Sequence, residues 1–300
     1  MGSCKLPAYV VITPAYNEEK YIHYPLESMI RQTIKPLKWI IVDDGSTDGT
    51  AEVINNIARK YDWISYHYNQ KKTGETYYSS NVYAILKGIS LVKDIPYSYL
   101  AILDADIELC DDYYERILKK FIKYEDLGIA TGTYLEREGD VWLEAPIDRR
   151  STPKHTQVFR RECYESTIGY IPFKYGGEDT GMEIMARMNG WKTWSFQAIV
   201  VKHHRPVGTG EGRSILHARF RLGMTDYCIG THPLFMFFKA IKRMFWERPY
   251  CLSGTARFFG YMTGYLKKLE RQLPVEAIDY LRQEQLRRIF QPYKEKYKFD

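Results

Sequence analysis

The chain has 300 residues, 45% hydrophobic and 15% aromatic, so it can bury a sizeable core as one large domain or a domain with an appendage. Five scattered cysteines (Cys4, Cys110, Cys163, Cys228, Cys251) form no Cys-x-x-Cys pair, which argues against a disulfide framework or a zinc site. The net charge of +6 is uneven, with acids gathered over residues 101–126 and Lys and Arg after Lys202; nothing matches a nucleic-acid module, so phosphate or anionic lipid is the expected partner.

Residues 8–13 (AYVVIT) form a short apolar, β-branched run ending at Pro14, the pattern of a buried strand. Helical spacing follows over 18–32, with Pro25 leaving its start open, then a second buried strand over 39–42. A helix is predicted over 50–60, a strand over 64–68, a helix over 80–92, a strand over 99–103 and a helix over 112–124. Strands alternating with helices of this length imply parallel pairing, with ligands gathering beyond the carboxyl ends of the strands. The middle of the chain reads as strands near 129–134 and 157–159, separated by a polar loop over 141–155. A helix over 179–188 stops at Asn189-Gly190, and a strand over 198–201 delivers His203-His204. Beyond the Gly-bearing loop at 208–212 come apolar stretches laced with basic residues, 234–245 and 258–266, too short for a spanning helix.

Three polar clusters sit where strands end, and a fourth opens a helix. Asp104-Ala105-Asp106 offers two carboxylates that can share a hard cation and leave positions for phosphate oxygens. Asp43-Asp44-Gly45-Ser46 can accept hydrogen bonds from a base or a ribose, and Pro14-Ala15-Tyr16-Asn17-Glu18 can add a ring and a polar edge to the same pocket. Gly176-Gly177-Glu178-Asp179 places two acids at a helix start, where one could deprotonate an attacking hydroxyl. Strand alternation lets only one of His203 and His204 face an acidic site as a metal ligand, and the residues leave open which. Arg205, Arg213, Arg219 and Arg221 are candidates to clamp a diphosphate.

Together these clusters resemble the family-two inverting glycosyltransferases with a GT-A fold. The resemblance runs through VVITPAYNEE, the helix ending in RQT, IIVDDGSTDGT, AILDADI, GGEDTGMEIMARMNGWK and VVKHHRP, in that order, over about residues 7–221. It implies a Rossmann-like, mostly parallel central sheet flanked by helices over residues 1–221. A helical C-terminal extension would occupy residues 222–300. It further implies that Pro14, Tyr16, Glu18 and Asp44 line a nucleoside pocket, that Asp104 supports the ribose or diphosphate, and that Asp106 binds the metal with His203 or His204. Asp179 would be the catalytic base, and Glu178 and Trp142 would belong to the acceptor pocket. Many relatives carry a Gly-rich, Arg-containing segment where this chain reads KKTGETYYSSN; Lys72 or Lys71, with Arg213, would then meet the diphosphate. HARFRLG stands near the place of the Gln-x-x-Arg-Trp signature of processive relatives without matching it, which implies addition of a single sugar.

The reading that follows is an inverting transfer from a nucleotide diphosphate sugar, UDP expected, to a hydroxyl of a glycan or lipid-linked glycan, with manganese or magnesium as cofactor. The competing readings are a binding module that keeps the fold without the chemistry, and a sugar nucleotidyltransferase. The latter lacks its Gly-rich loop after strand one, where this chain has TPAYNEE. No basic-plus-apolar leader precedes the first strand, so the expected location is cytoplasmic. The extension is expected either to lie on the cytoplasmic membrane face or to pack on the catalytic domain or a second subunit.

Overall fold

The computed structural model describes residues 6–70, 76–138, 141–145, 148–205, 214–291 and 299. Two compact units emerge: the first comprises Met1–Pro172, Glu178–Pro206 and Phe299–Asp300, the second Phe173–Gly177 and Val207–Lys298.

The first unit alternates as its hydrophobic pattern dictates. β1 (Tyr9–Ala15), β2 (Lys38–Asp43), β3 (Ile64–Tyr68) and β4 (Tyr99–Ile102) pair in parallel in the order β3-β2-β1-β4. They are crossed over by α1 (His23–Arg31), α2 (Thr50–Ala58) and α3 (Tyr77–Val92). β1 is buried along its whole length, as befits a strand covered on both faces. α1 starts later than its apolar spacing suggests, which leaves Pro25 in the first turn, where its missing N–H costs nothing. α3 begins three residues earlier than predicted because Thr76 and Ser79 form a reciprocal capping box.

The rest of the sheet is mixed. β5 (Ile107–Leu109) precedes α4 (Tyr113–Lys123), followed by β6 (Leu127–Glu138), β7 (Val141–Glu144), a 3-10 turn (Lys154–Thr156), β8 (Val158–Arg160), α5 (Arg161–Glu165), α6 (Glu178–Met188) and β9 (Lys192–His203). The sheet continues from β4 through β8, β6 and β9 to β5, with β7 paired to β6. Following the pairings strand by strand, β6 and β9 run with the β1–β4 set, whereas β5, β7 and β8 run against it. The carboxyl ends of β1, β2, β4 and β9 therefore open on one edge of a mostly parallel sheet.

Two local expectations need correction. Residues 141–155 are not one polar loop, since β7 forms an antiparallel ribbon with the far half of β6; Val141 and Leu143 are exposed, so the strand carries little burial signal. β9 is three times longer than the apolar run 198–201, because Thr193 and Ser195 are buried polar strand residues; the Thr193 hydroxyl donates to the Arg150 carbonyl at 2.6 Å.

The second unit is helical: α7 (Ile215–Cys228), α8 (Pro233–Trp246), α9 (Leu252–Leu266) and α10 (Val275–Phe290). Its core gathers Tyr227, Cys228, Met236, Ala240 and Tyr261, and Asp226 is buried between Arg257 Nε at 2.6 Å and Lys239 Nζ at 2.7 Å. Those two cations hold the Asp226 carboxyl well below its usual range against the opposing effect of burial. α7 and α9 meet backbone to backbone at Gly223 and Gly260. A Cβ on Gly260 would fall 1.9 Å from the Phe220 carbonyl oxygen, and one on Gly223 would fall 1.9 Å from that of Arg257. Gly260→Ala should therefore push the helices apart and lower stability by about 1–3 kcal/mol. Urea denaturation reads this as a lower midpoint, and an unchanged midpoint would contradict the close approach.

Candidate active site

The carboxyl edge of the sheet collects the first three clusters. β1 and β2 end level with each other, Ala15 opposite Asp43, and the Asp44 N–H donates to the Ala15 carbonyl at 2.8 Å. Asp43 is spent on its own loop, accepting from the Ser46 N–H and the Tyr66 hydroxyl, each at 2.8 Å. Asp44 instead turns into a small, open pocket lined by Pro14, Ala15, Tyr16, Glu18, Tyr77 and Asn81. Its carboxylate is held by Asn69 at 2.9 Å and by the Ser80 hydroxyl. All four residues predicted for a nucleoside pocket thus line a single cavity, with Tyr77 and Asn81 added by the first turns of α3.

Asp104 and Asp106 follow the end of β4. The Asp104 N–H donates to the His155 carbonyl at 3.0 Å, which fastens the segment to the 3-10 turn. Asp106 is buried, with His203 Nε2 3.3 Å from Oδ1 and Arg205 Nε 3.4 Å from Oδ2. Burial alone would raise its pKa, but His203 and Arg205 together hold it below the ordinary value. The partnership works both ways: burial disfavours charge on His203, and Asp106 outweighs burial and raises the imidazole pKa. Glu18 lies on the other side of Arg205 and forms an ion pair with it. Burial and the neighbouring Asp106 charge nevertheless push Glu18 up to about 8.

The structure separates the two histidines. The β5–β9 pairing sets Ile107 opposite His203 and turns His203 inward to Asp106. His204 points the other way, stacking on Tyr24 and meeting Glu108 at 2.8 Å. Trp142, on β7, packs edge-on against His204 at 5.2 Å between ring centres, with Lys202 over its face at 5.8 Å. Lys72, Lys71 and Arg213 lie outside the described residues. Arg219 is committed to Glu247 at 2.9 Å and Arg221 to the Tyr175 carbonyl, both within the second unit.

One residue that the sequence did not single out joins the site. Lys154, in the 3-10 turn, is half-buried with its ammonium 3.4 Å from Asp104 and 3.7 Å from Glu178, and donates to Asn81 Oδ1 at 2.5 Å. Burial opposes its charge, but the two carboxylates prevail and hold the pKa above the usual lysine value. Glu178, which is buried, is raised by desolvation despite Lys154. Asp179 follows at the start of α6, half-buried, with Oδ1 accepting from the Thr180 N–H at 2.7 Å. Only its place between two acids marks Lys154, and no spacing rule exposes that in a sequence.

The donor set suits a hard divalent ion in its chemistry. Asp104 Oδ1 and Asp106 Oδ1 are occluded carboxylate oxygens held by ion pairs rather than by close hydrogen bonds, to Lys154 at 3.4 Å and to the His203 imidazole at 3.3 Å. Among the described residues, no three His, Cys, Asp or Glu stand close enough together to form a ready-made metal site.

The family model described as "Glycosyl transferase family 2" matches residues 10–176, more than half of the chain. The chain belongs to glycosyl transferase family 2. It is 31% identical over 124 residues to the glycosyltransferase GlyA of Streptococcus pneumoniae serotype 4, covering 41% of this chain and 16% of that protein. To the chondroitin synthase of Escherichia coli it is 31% identical over 179 residues, covering 55% of this chain and 24% of the synthase. The chain thus spans a quarter or less of these two relatives. Among solved structures, the mannosyltransferase PcManGT from Pyrobaculum calidifontis in complex with GDP-Man and Mn2+ superposes with a TM-score of 0.56 at 16% identity, over 96% of this chain and 82% of that one. S. aureus TarS 1-349 in complex with UDP-GlcNAc gives 0.55 at 15% identity, over 93% and 81%. These likenesses establish the GT-A glycosyltransferase fold.

Lys154→Met would leave the half-buried Asp104 and the buried Glu178 with no cation between them. The expected loss is about 3–5 kcal/mol of stability, seen as a lower thermal midpoint; a midpoint equal to the parent's would mean the lysine is not the counter-ion of this pair.

Proposed function

We propose that this chain is an inverting glycosyltransferase that moves one sugar from a nucleotide diphosphate sugar, UDP favoured, to a hydroxyl of a glycan or lipid-linked glycan. One observation carries the reading: Lys154 ties Asn81, in the Asp44 pocket, and Asp104 to Glu178 at the start of α6, so donor-side and acceptor-side carboxylates share one cation. The nucleotide sugars named with the two solved structures support the donor class. The chondroitin synthase likeness supports a polysaccharide hydroxyl as acceptor.

In this reading Pro14, Tyr16, Glu18 and Asp44 hold the nucleoside, and Asp104 supports the ribose and diphosphate. Asp179 accepts the acceptor's hydroxyl proton as the oxygen bonds to the anomeric carbon. The bond from that carbon to the diphosphate breaks on the opposite face, its electron pair leaves with the nucleoside diphosphate, and the configuration inverts. Glu178 lies beside the incoming hydroxyl, whereas Trp142, packed on His204, is left out of the acceptor side. Asp106 and His203 would hold manganese or magnesium, which when bound offsets the charge of the departing diphosphate. Arg205, fixed between Glu18 and Asp106, keeps those carboxylates apart and oriented. The described cysteines (Cys110, Cys163, Cys228, Cys251) are all unpaired, which supports a cytoplasmic setting. Peripheral contact with the membrane would give access to a lipid-linked acceptor.

Asp179→Asn should lower kcat by about 10²–10⁴-fold with the donor KM little changed, measured as nucleoside diphosphate release with an accepted sugar acceptor. Near-parental turnover would remove Asp179 from the role of base. Stripping divalent ions with EDTA should stop transfer, and added manganese or magnesium should restore it; full activity in EDTA would argue against the role given to Asp106 and His203.

A further inference from the structure

The second unit carries a feature that sugar transfer leaves unused. Residues 233–268 hold seven of the 43 Lys and Arg but only one of the 37 Asp and Glu, leaving 36 of each sign elsewhere. The stretch from the start of α8 to the two lysines just past α9 thus carries six excess positive charges, of which Lys239 and Arg257 are paired with the buried Asp226. The one acid, Glu247, is already engaged by Arg219 at 2.9 Å and Arg243 at 2.8 Å.

The same two helices expose bulky apolar side chains on faces their packing does not use. α8 turns Met236 and Ala240 into the core of the unit, whereas Phe238 and Phe245 lie on the outer face and are exposed, Phe245 at 70% and the adjoining Trp246 at 76%. On α9, Leu252, Phe259 and Leu266 recur every seven residues, which puts them on one helix face, and Leu266 is 81% exposed. Exposed Lys242, Lys267 and Lys268 border these stripes. Among the described residues no helix is long and apolar enough to cross a membrane. Apolar faces rimmed by lysines on helices of about four turns fit the boundary of an anionic bilayer, where rings enter the headgroup region and ammonium groups meet lipid phosphates. A second copy is a poorer occupant, because a two-fold contact through this surface would bring the exposed Lys242, Lys267 and Lys268 of both copies together.

We propose that the outer faces of α8 and α9 dock the chain on an anionic lipid surface. The test is co-sedimentation of the full chain with vesicles of phosphatidylcholine alone and of phosphatidylcholine mixed with phosphatidylglycerol. Binding is expected to the mixed vesicles only, and to weaken with added salt. The variants Phe245→Ser with Trp246→Ser, and Lys267→Ser with Lys268→Ser, should each lower partition by about tenfold or more while keeping the parent's melting temperature. Absence of binding to mixed vesicles, or variants that bind like the parent, would overturn the proposal. So would a dimer seen by light scattering that the Phe245→Ser, Trp246→Ser variant dissolves. The readout requires no sugar transfer, so its failure would leave the proposed reaction standing.

Discussion

Four buried or half-buried acids (Glu18, Asp104, Asp106 and Glu178) converge on one edge of the sheet, and the first unit is organised around keeping them there. Such crowding would drive protons onto the acids or force the loops apart unless cations were interleaved. Arg205 separates Glu18 from Asp106, and Lys154 separates Asp104 from Glu178. Neither acid set is silenced by its cation, since Glu18 and Glu178 keep raised pKa values while Asp106 is held low. Environment has thus pushed chemically similar groups apart, the condition under which neighbouring carboxylates take different roles.

The fold was legible where burial and secondary structure agree. The strands of the parallel half are apolar runs that end at polar residues, and the helices between them carry an apolar face, so composition and period point the same way. Legibility failed where tertiary partners substitute for hydrophobicity. β9 passes through buried Thr193 and Ser195, whose hydroxyls reach the carbonyls of Arg150 and Ser151, and no apolar pattern announces that. The solvent-facing ribbon of β7 fails for the opposite reason, as it buries too little to impose alternation.

The site divides in the same manner. Pro14, Tyr16, Glu18 and Asp44 fall at the ends of β1 and β2, so knowing the strands was enough to bring them together. Alternation allowed one of His203 and His204 to face inward, but parity needs a reference point, and the β5–β9 register supplies it. Lys154 was out of reach because it comes from a turn whose position depends on β6, β8 and α6. Its relevance arises from three distant carbonyl and carboxylate groups rather than from its neighbours in sequence.

The tether on Asp44 has a consequence for recognition. Asn69 and Ser80 fix its carboxylate from outside the pocket, so the rotamer is chosen during folding rather than on encounter. A ligand meeting that wall finds an acceptor already aimed, and little side-chain freedom is lost when it binds. Discrimination then lies with the ligand: one whose donors are displaced cannot be accommodated by swinging the carboxylate. Asn69 and Ser80 therefore set how exacting the pocket is without touching what enters it.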